Sequence, residues 1–529
     1  MGKLVYLTEA AKRDRPRSLR ETYEEPPDWI PHSAGLLVSN ELNLLLLIPF
    51  FTSYIGGFDG SMLNGMQTVS HWQEDFNHPS GSLLGVLVNM QTIGGVISLP
   101  LAPWMADKYG RRPPILLGSS IIILGAAVQG GAQNFGMFLA GRFFIGLGGG
   151  FVATAAAPLL AELAYPTHRP VITAVYNTQW YTGAIVAAWS TYGTFRIPNS
   201  WSWRIPSLLQ ALVSIFQVAL IYLVPESPRW LVANNQTDKA TRILCKYHSG
   251  TEEPTELVRL QIAEISSAIE FEREQQSTSY FQFFRTKGNR HRFFVVGILG
   301  FIIQWCGNQL ISGFLALVLR GIGITDPETQ NLINGGLQIY NFFIAAGSAT
   351  LVNHLSRRFL FLTSTIGMLC AFIVWTGLAA RNQQLEFEKG LGIGIVAMMF
   401  VFYTFYNFAM SPLPIAYILE ILPYSLRAKG LTVFNLAQYC SGLFNGFVNP
   451  VGLEVLRWKY YIVFVCALML WLAVIYFTFP ETRGLSLEEV SMIFDGRQAL
   501  ERTYDIKAEG LVHDEHAEKS APDGQTKEL

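Results

Sequence analysis

Asp59 is the one carboxylate in a run, Leu44 to Gln73, that holds no other formal charge and is long enough to cross a bilayer. Placing a lone carboxylate in hydrocarbon costs about 2.5 to 3.5 kcal/mol, so such a group is protonated, paired, or turned toward water inside a bundle. An acid that alternates between these states can carry a proton. A second charge, Arg142, also lies inside an apolar run, with Gly146 and Gly150 one and two turns further along the same helical face. Other apolar runs carry amides and rings at helical spacing: Asn177, Trp180 and Tyr181; Gln304 and Asn308 with Trp305 and Gln309 beside them; Asn334, Gln338 and Asn341; Tyr403, Tyr406, Asn407 and Tyr417; Gln438, Ser441, Asn445 and Asn449. Amides give two-way hydrogen bonds to hydroxyl groups, and rings cover apolar faces of a ligand. Polar faces on this many apolar segments are expected around a hydrated cavity, helix-to-helix hydrogen bonding being the alternative for any one of them. The histidines form no metal-ligand set, and no Ser–His–Asp or two-carboxylate arrangement follows from spacing. Neither a metal, a cofactor nor enzymatic chemistry is expected.

The elements that must hold these residues are membrane spans. Half of the 529 residues are hydrophobic, only 15% are charged and the mean hydropathy is +0.29, a polytopic composition. The net charge of -1, with basic residues scattered among short loops, excludes a nucleic-acid footprint. The five cysteines show no disulfide or metal spacing. Twelve spans are predicted: 44–65, 83–106, 114–132, 135–157, 171–192, 208–224, 293–319, 332–352, 359–379, 393–419, 431–451 and 460–479. Pro100 and Pro103 in the second, and Pro412 and Pro414 in the tenth, are expected bending points. The expected fold class is an all-α membrane protein of twelve transmembrane helices in two six-helix bundles.

Basic residues follow the even-numbered spans: Lys108, Arg111 and Arg112, then Arg169, Arg357 with Arg358, and Arg427 with Lys429. By the positive-inside rule both termini are cytoplasmic. The domains are then a cytoplasmic tail, 1–43; a six-helix bundle, 44–224; a cytoplasmic linker with short amphipathic helices, 225–292; a second bundle, 293–479; and a cytoplasmic tail, 480–529. The sequon at Asn235 falls in the linker, so glycosylation is not expected there.

Five stretches carry a resemblance: Gly57-Phe58-Asp59-Gly60-Ser61; Asp107-Lys108-Tyr109-Gly110-Arg111-Arg112; Gly141-Arg142 followed by Gly146, Gly148, Gly149 and Gly150; Pro225-Glu226-Ser227-Pro228-Arg229-Trp230; and Pro480-Glu481-Thr482-Arg483-Gly484. Their order and spacing resemble the sugar porter family of the major facilitator superfamily, in particular its fungal lactose and cellobiose permease-like branch. That resemblance implies a plasma-membrane importer of a sugar, a disaccharide or related glycoside, by proton symport with alternating access. The partners are the sugar, the proton and the bilayer, with no obligate protein partner. It makes Arg142 the counter-charge of Asp59 and the two residues the proton-coupling site. Asn177, Trp180, Gln304, Trp305, Asn308, Gln309, Asn341, Asn407, Tyr417 and Asn445 are the expected substrate-binding residues. Asp107, Arg111, Arg112, Glu162, Arg169, Glu226, Arg229, Arg357, Arg358, Glu420 and Arg427 are the expected cytoplasmic gate, with Glu162–Arg169 and Glu420–Arg427 as matching pairs seven residues apart. A proton-independent sugar facilitator and a transporter-like sugar sensor are the alternatives. The chain departs from the hexose pattern at Ile303-Gln304 and at Ser411-Pro412-Leu413-Pro414-Ile415, where a ring is missing, and the second-half basic motif is reduced to Asn353-His354-Leu355-Ser356-Arg357-Arg358.

Overall fold

A computed structural model describes residues 32–166, 168–275, 280–351, 354–483, 485 and 487–495. The tails beyond these limits, and Asn353 of the reduced motif, lie outside the described residues. Every regular element described is helical. The first half contains α1 (His32–Phe50), α2 (Thr52–Met66), α3 (Ser70–Asp75), α4 (Gly81–Tyr109), α5 (Arg112–Gly130), α6 (Phe135–Leu163), α7 (Arg169–Thr194), α8 (Trp201–Leu209) and α9 (Leu212–Leu220). Then come α10 (Pro228–Ala233), α11 (Thr237–Leu244), α12 (Glu256–Gln275) and α13 (Gln282–Arg285). The second half contains α14 (Lys287–Trp305), α15 (Asn308–Gly321), α16 (Pro327–Leu351), α17 (Arg357–Gln384), α18 (Lys389–Ala409), α19 (Pro414–Ile421), α20 (Tyr424–Leu456), α21 (Tyr460–Thr478) and α22 (Leu487–Asp495).

All twelve predicted spans are helical, and nine stretches among the described residues are long and apolar enough to cross a membrane. One of these, 425–478, contains both the eleventh and twelfth spans. The two spans missing from the nine are α7 and α16, whose amides and hydroxyls lower their apolar content. Four spans are broken. The first breaks at Phe51 and the sixth at Gln210–Ala211, the latter starting seven residues earlier than predicted, at Trp201. The seventh breaks at Cys306–Gly307, where Gly307 has φ +102° and an added Cβ would lie 2.4 Å from the Phe372 ring. Glycine alone meets both demands there. The tenth breaks between Ala409 and Pro414, at the expected prolines. Pro100 and Pro103, by contrast, sit inside an unbroken α4.

The chain forms two compact units. The first takes the described residues up to 79, 86–271 and 330–338; the second takes 80–85, 272–329 and those from 339 onward. In the first, α2 packs on α7 and α5 on α6. Its core has an aliphatic cluster around Ile115, Ile122, Val152 and Leu159. A second cluster is aromatic, with Trp72, Phe76, Phe138 and Trp203 in edge contacts. In the second unit α14 packs on α20, and α17 on α18 and α21. Large apolar side chains also cover the outside of both units, among them Leu101, Leu124, Phe216, Phe343, Ile373 and Phe477. Apolar surface on this extent is what a hydrocarbon solvent requires. The predicted amphipathic linker helix is α12, whose Val258, Ile262 and Ile265 pack on Leu244 and Cys245.

Candidate functional site

Asp59 is fully buried and paired. Arg142 of α6 reaches it from the side, with Nη2 donating to Oδ2 at 3.1 Å and Nη1 to Oδ1 at 3.3 Å. Arg142 also donates through Nε to the Leu87 carbonyl of α4 at 2.9 Å, and Nη2 lies 3.4 Å from Gln91 Oε1. A third element contributes Gln210, in the break between α8 and α9, whose Nε2 donates to Asp59 Oδ1 at 2.7 Å. The acid is therefore held by three side-chain donors from two elements, in the bidentate geometry that makes Arg–carboxylate pairs strong. Local sequence permits the approach. An added Cβ on Gly146 would meet the Gln91 carbonyl at 1.9 Å, so only glycine lets α6 lie this close to α4. Trp180 of α7 lies along α2, in van der Waals range of added Cβ atoms on Gly56 and Gly60, either side of Asp59.

Each unit also carries a charge network, and the two networks have the same wiring. In the first, the backbone N–H groups of Arg111 and Arg112, at the start of α5, donate to the two oxygens of Glu226 at 2.9 and 3.2 Å. Arg111 Nη2 lies 3.6 Å from Glu162 Oε1, and Ser227 Oγ donates to Glu162 Oε2 at 2.5 Å. In the second, the N–H groups of Arg357 and Arg358, at the start of α17, donate to Glu481 at 2.9 and 3.0 Å. Arg357 Nη2 pairs with Glu420 Oε1 at 3.1 Å, and Thr482 Oγ1 donates to Glu420 Oε2 at 2.5 Å. A carboxylate over a helix N-terminus satisfies its free N–H groups and its dipole together. Burial works against the charge of Glu481, but the Ser356 hydroxyl and the N–H groups of Arg483, Arg357 and Arg358 outweigh it and hold its carboxyl below the usual range. The expected pairing of Glu162 with Arg169 is corrected: Arg169, the exposed first residue of α7, makes no ion pair with it, because Arg111 is the cation within reach. Glu420 likewise has Arg357 as its partner, while Arg427 Nε donates to the Leu422 carbonyl at 3.3 Å. Asp107 accepts from Arg111 Nη1 at 3.2 Å, Arg358 donates to the Tyr476 carbonyl at 2.6 Å, and Arg229 is half-buried in the first turn of α10.

The expected substrate residues are only partly brought together. In the second unit Asn445 donates to the Gln304 carbonyl at 2.7 Å, and Trp305 stacks on Phe444 at 5.3 Å. Gln304, Trp305, Asn308 and Gln309 flank the break at Gly307 and are half-buried. Trp305 Nε1, Gln309 Oε1 and Ser441 Oγ are buried polar atoms with no hydrogen-bond partner among the described residues. Asn341 and Asn407 form a buried pair, Nδ2 to Oδ1 at 3.4 Å. In the first unit Trp180 is half-buried and Asn177 exposed. Tyr417 does not belong with them. It is fully buried, its hydroxyl donates to the Pro480 carbonyl at 2.9 Å and its ring stacks on Phe479, beside the Glu420–Glu481 network.

Residues 45–494 match the family described as "Sugar (and other) transporter". The chain belongs to that family. Its relatives include the MFS-type transporter criB of Aspergillus cristatus, 28% identical with 86% of this chain and 94% of the relative covered. The low-affinity glucose transporter HXT3 of Saccharomyces cerevisiae is 26% identical, with 84% of this chain and 80% of the relative covered. Among solved structures, the xylose transporter XylE of E. coli in a partially occluded inward-open conformation superposes with a TM-score of 0.70 at 18% identity, covering 85% of this chain and 100% of that one. The fold is thus that of the major facilitator superfamily, and the protein is a multi-pass membrane transporter, not an enzyme.

In this sugar-porter-type transporter the residues that sequence reasoning missed are Gln210 and Gln91. A signal was available, because Gln210 is one of two glutamines, with Gln217, in an apolar span. Gln217 proves to join Ser119 at 2.8 Å to Thr52 at 2.9 Å, a helix-to-helix bond. Only the fold separates the two roles.

Proposed function

We propose that this transporter imports a sugar, of the disaccharide or related glycoside class, together with a proton, by alternating access. The observation that carries the reading is the buried Asp59–Arg142 pair, with Gln210 as a third donor on the same acid. A pair used for packing alone is replaceable by apolar residues at no desolvation cost. An acid that must lose and regain its charge needs partners of this kind. Protonation of Asp59 from outside frees Arg142 and Gln210, loosens α2 from α6 and accompanies sugar binding; deprotonation inside restores the pair. One charge moving through 100 mV supplies about 2.3 kcal/mol, enough for roughly 50-fold accumulation.

The substrate residues of this reading are Gln304, Trp305, Asn308, Gln309, Asn341, Asn407 and Asn445, with Asn177 and Trp180 from the first unit. Names of relatives such as HXT3 support sugar as the cargo. The disaccharide class rests on residues of this chain: Ile415 stands where hexose carriers often place a ring, and Asn445-Gly446-Phe447-Val448-Asn449-Pro450 agrees with the lactose and cellobiose permease-like branch. The two charge networks serve as the cytoplasmic gate, the division at 44–224, 225–292 and 293–479 follows the two bundles, and the termini face the cytoplasm of a plasma-membrane protein.

The test is uptake into proteoliposomes holding the purified chain, with acid outside and a potential negative inside. The wild type accumulates labelled disaccharide uphill, whereas Asp59→Asn equilibrates it and retains counterflow exchange. Uphill, pH-driven accumulation by Asp59→Asn removes the coupling role and leaves a facilitator.

A further inference from the structure

In the second unit the residues just before α14 turn three large rings away from the protein. α13 is pinned to α14 on its inner side: Phe283 is 1% exposed, its ring lies 5.4 Å from that of Phe293, and Asn289 Nδ2 donates to the Gln282 carbonyl at 3.0 Å. Thr286 fixes the turn between the two helices, with extended backbone and a hydroxyl oxygen that accepts from the Asn289 N–H at 3.1 Å. With Phe283 committed inward, its neighbours face out. Tyr280 is 50% exposed, Phe281 81% and Phe284 53%, and Phe281 and Phe284, three positions apart, share one helical face. Rings held in water forgo the gain of burial, whereas aromatic side chains are favoured at the headgroup level of a bilayer.

The apolar surface runs on into the membrane span by contact. The Phe284 ring lies 5.0 Å from that of Phe293, and Phe293 adjoins Phe294, which with Phe301 marks the exposed face of α14. The apolar run of this span begins at Phe293, and a rise of about 1.5 Å per residue sets Lys287 about 9 Å outside it, where a long basic side chain reaches the lipid phosphates. Charge then selects the lipid. Arg285, Lys287 and Arg290 are exposed, and none forms an ion pair among the described residues. Residues 280–300 hold no Asp or Glu. Asp495 of α22 packs against Gly288, but its Oδ2 lies 2.7 Å from Nη1 of buried Arg292, so these two charges offset each other and three cations remain at the surface. Lys429 of α20 adds a cation 5.9 Å over the Tyr280 ring. We propose that residues 280–290 are a binding surface for anionic phospholipid in the leaflet on the side of the 225–292 segment. Phe281 and Phe284 enter the boundary between headgroups and acyl chains, and Arg285, Lys287 and Arg290 pair with the headgroup anions. The surface depends neither on the cargo nor on the proton coupling proposed above. Because Phe283 and Asn289 lock α13 to α14, lipid bound here steadies the first turns of the span that breaks at Gly307.

Hydrogen exchange of the full chain in phosphatidylcholine nanodiscs, titrated with phosphatidylserine, tests this. Phosphatidylserine is expected to slow exchange in peptides covering 280–290. Arg285→Gln raises the phosphatidylserine fraction needed for half of that slowing about fivefold, the double change with Lys287→Gln raises it about 25-fold, and Arg285→Lys leaves it nearly unchanged. Arg285 and Lys287 are exposed, so neither change threatens the fold. Exchange at 280–290 that ignores phosphatidylserine, or an unaltered response in the double variant, overturns the proposal. Slowing that follows protein concentration in lipid-free detergent overturns it in favour of a second copy of the chain.

Discussion

Gln210 donates to Asp59 Oδ1 at 2.7 Å, and a hydrogen bond to a charged group is worth about 1.5 to 3 kcal/mol. Gln210→Leu removes that donor but leaves Arg142 in place. The expected result is a lower melting temperature in detergent and slower uphill uptake into proteoliposomes, with accumulation still dependent on the proton gradient. His248 offers a second test, outside the spans. Its ring nitrogens lie 3.1 Å from Gln261 Oε1 and 3.1 Å from the Leu163 carbonyl. Burial pushes its imidazole below the ordinary value, against the opposing pull of those two bonds. The folded state thus binds the proton less readily than the unfolded one. Its contribution is present above pH about 6.5 and is lost as pH falls toward the folded value, by up to about 1.4 kcal/mol per unit. Thermal melts between pH 8 and 5 are expected to show that loss in the wild type and a flatter profile in His248→Gln.

The broken helices are the elements on which the site depends. Gly307 ends α14 and starts α15, and the amides on either side of it, Gln304, Asn308 and Gln309, take directions that a continuous helix would not give them. Gly307→Ala imposes a Cβ on a backbone at φ +102° and against Phe372, itself stacked on Trp375 at 5.0 Å. A loss of about 2 kcal/mol is expected from the backbone alone, read as a lower melting temperature in detergent together with weaker sugar binding. The reduced motif before α17 teaches a related point. Gly110 has φ +96°, whereas Ser356 stands in the matching place with φ −64° and caps the helix through its side chain. Both solutions leave two N–H groups aimed at a glutamate.

Across the whole molecule the duplicated networks share no residue: Arg111, Arg112, Glu162, Glu226 and Ser227 fall in one unit and Arg357, Arg358, Glu420, Glu481 and Thr482 in the other. Glu226→Gln and Glu481→Gln each remove a charged acceptor from a helix N-terminus, at an expected cost of about 2 kcal/mol. As the networks share no residue, the double variant is expected to add the two losses within about 0.5 kcal/mol, measured by chemical denaturation in detergent. For Glu481, whose carboxyl is depressed, stability is present above its unfolded value of about 4.3 and is lost as pH falls through the lower folded value. Glu481→Gln is expected to abolish that acid-side loss.

The twelve helical segments, the membrane class and the family were legible in the order of residues, because apolar length is a local property and a short motif such as Gly57-Phe58-Asp59-Gly60 keeps its pattern wherever it folds. Asp59 was conspicuous for the same reason, a charge in hydrocarbon being anomalous without reference to any other residue. Partners were not legible. Arg111 takes Glu162 across 51 positions, from the turn between α4 and α5 to the end of α6, and sequence spacing pointed to Arg169 instead. Gln210 and Gln217 look alike in one dimension, yet one meets the acid and the other a hydroxyl pair. Tyr417 shares the polar stripe of Asn407 on paper, but the break at the prolines rotates it onto Pro480. Hydrophobicity and helical period are written along the chain, whereas which donor meets which acceptor depends on helix breaks and on how closely small residues let backbones approach, and those are fixed by packing.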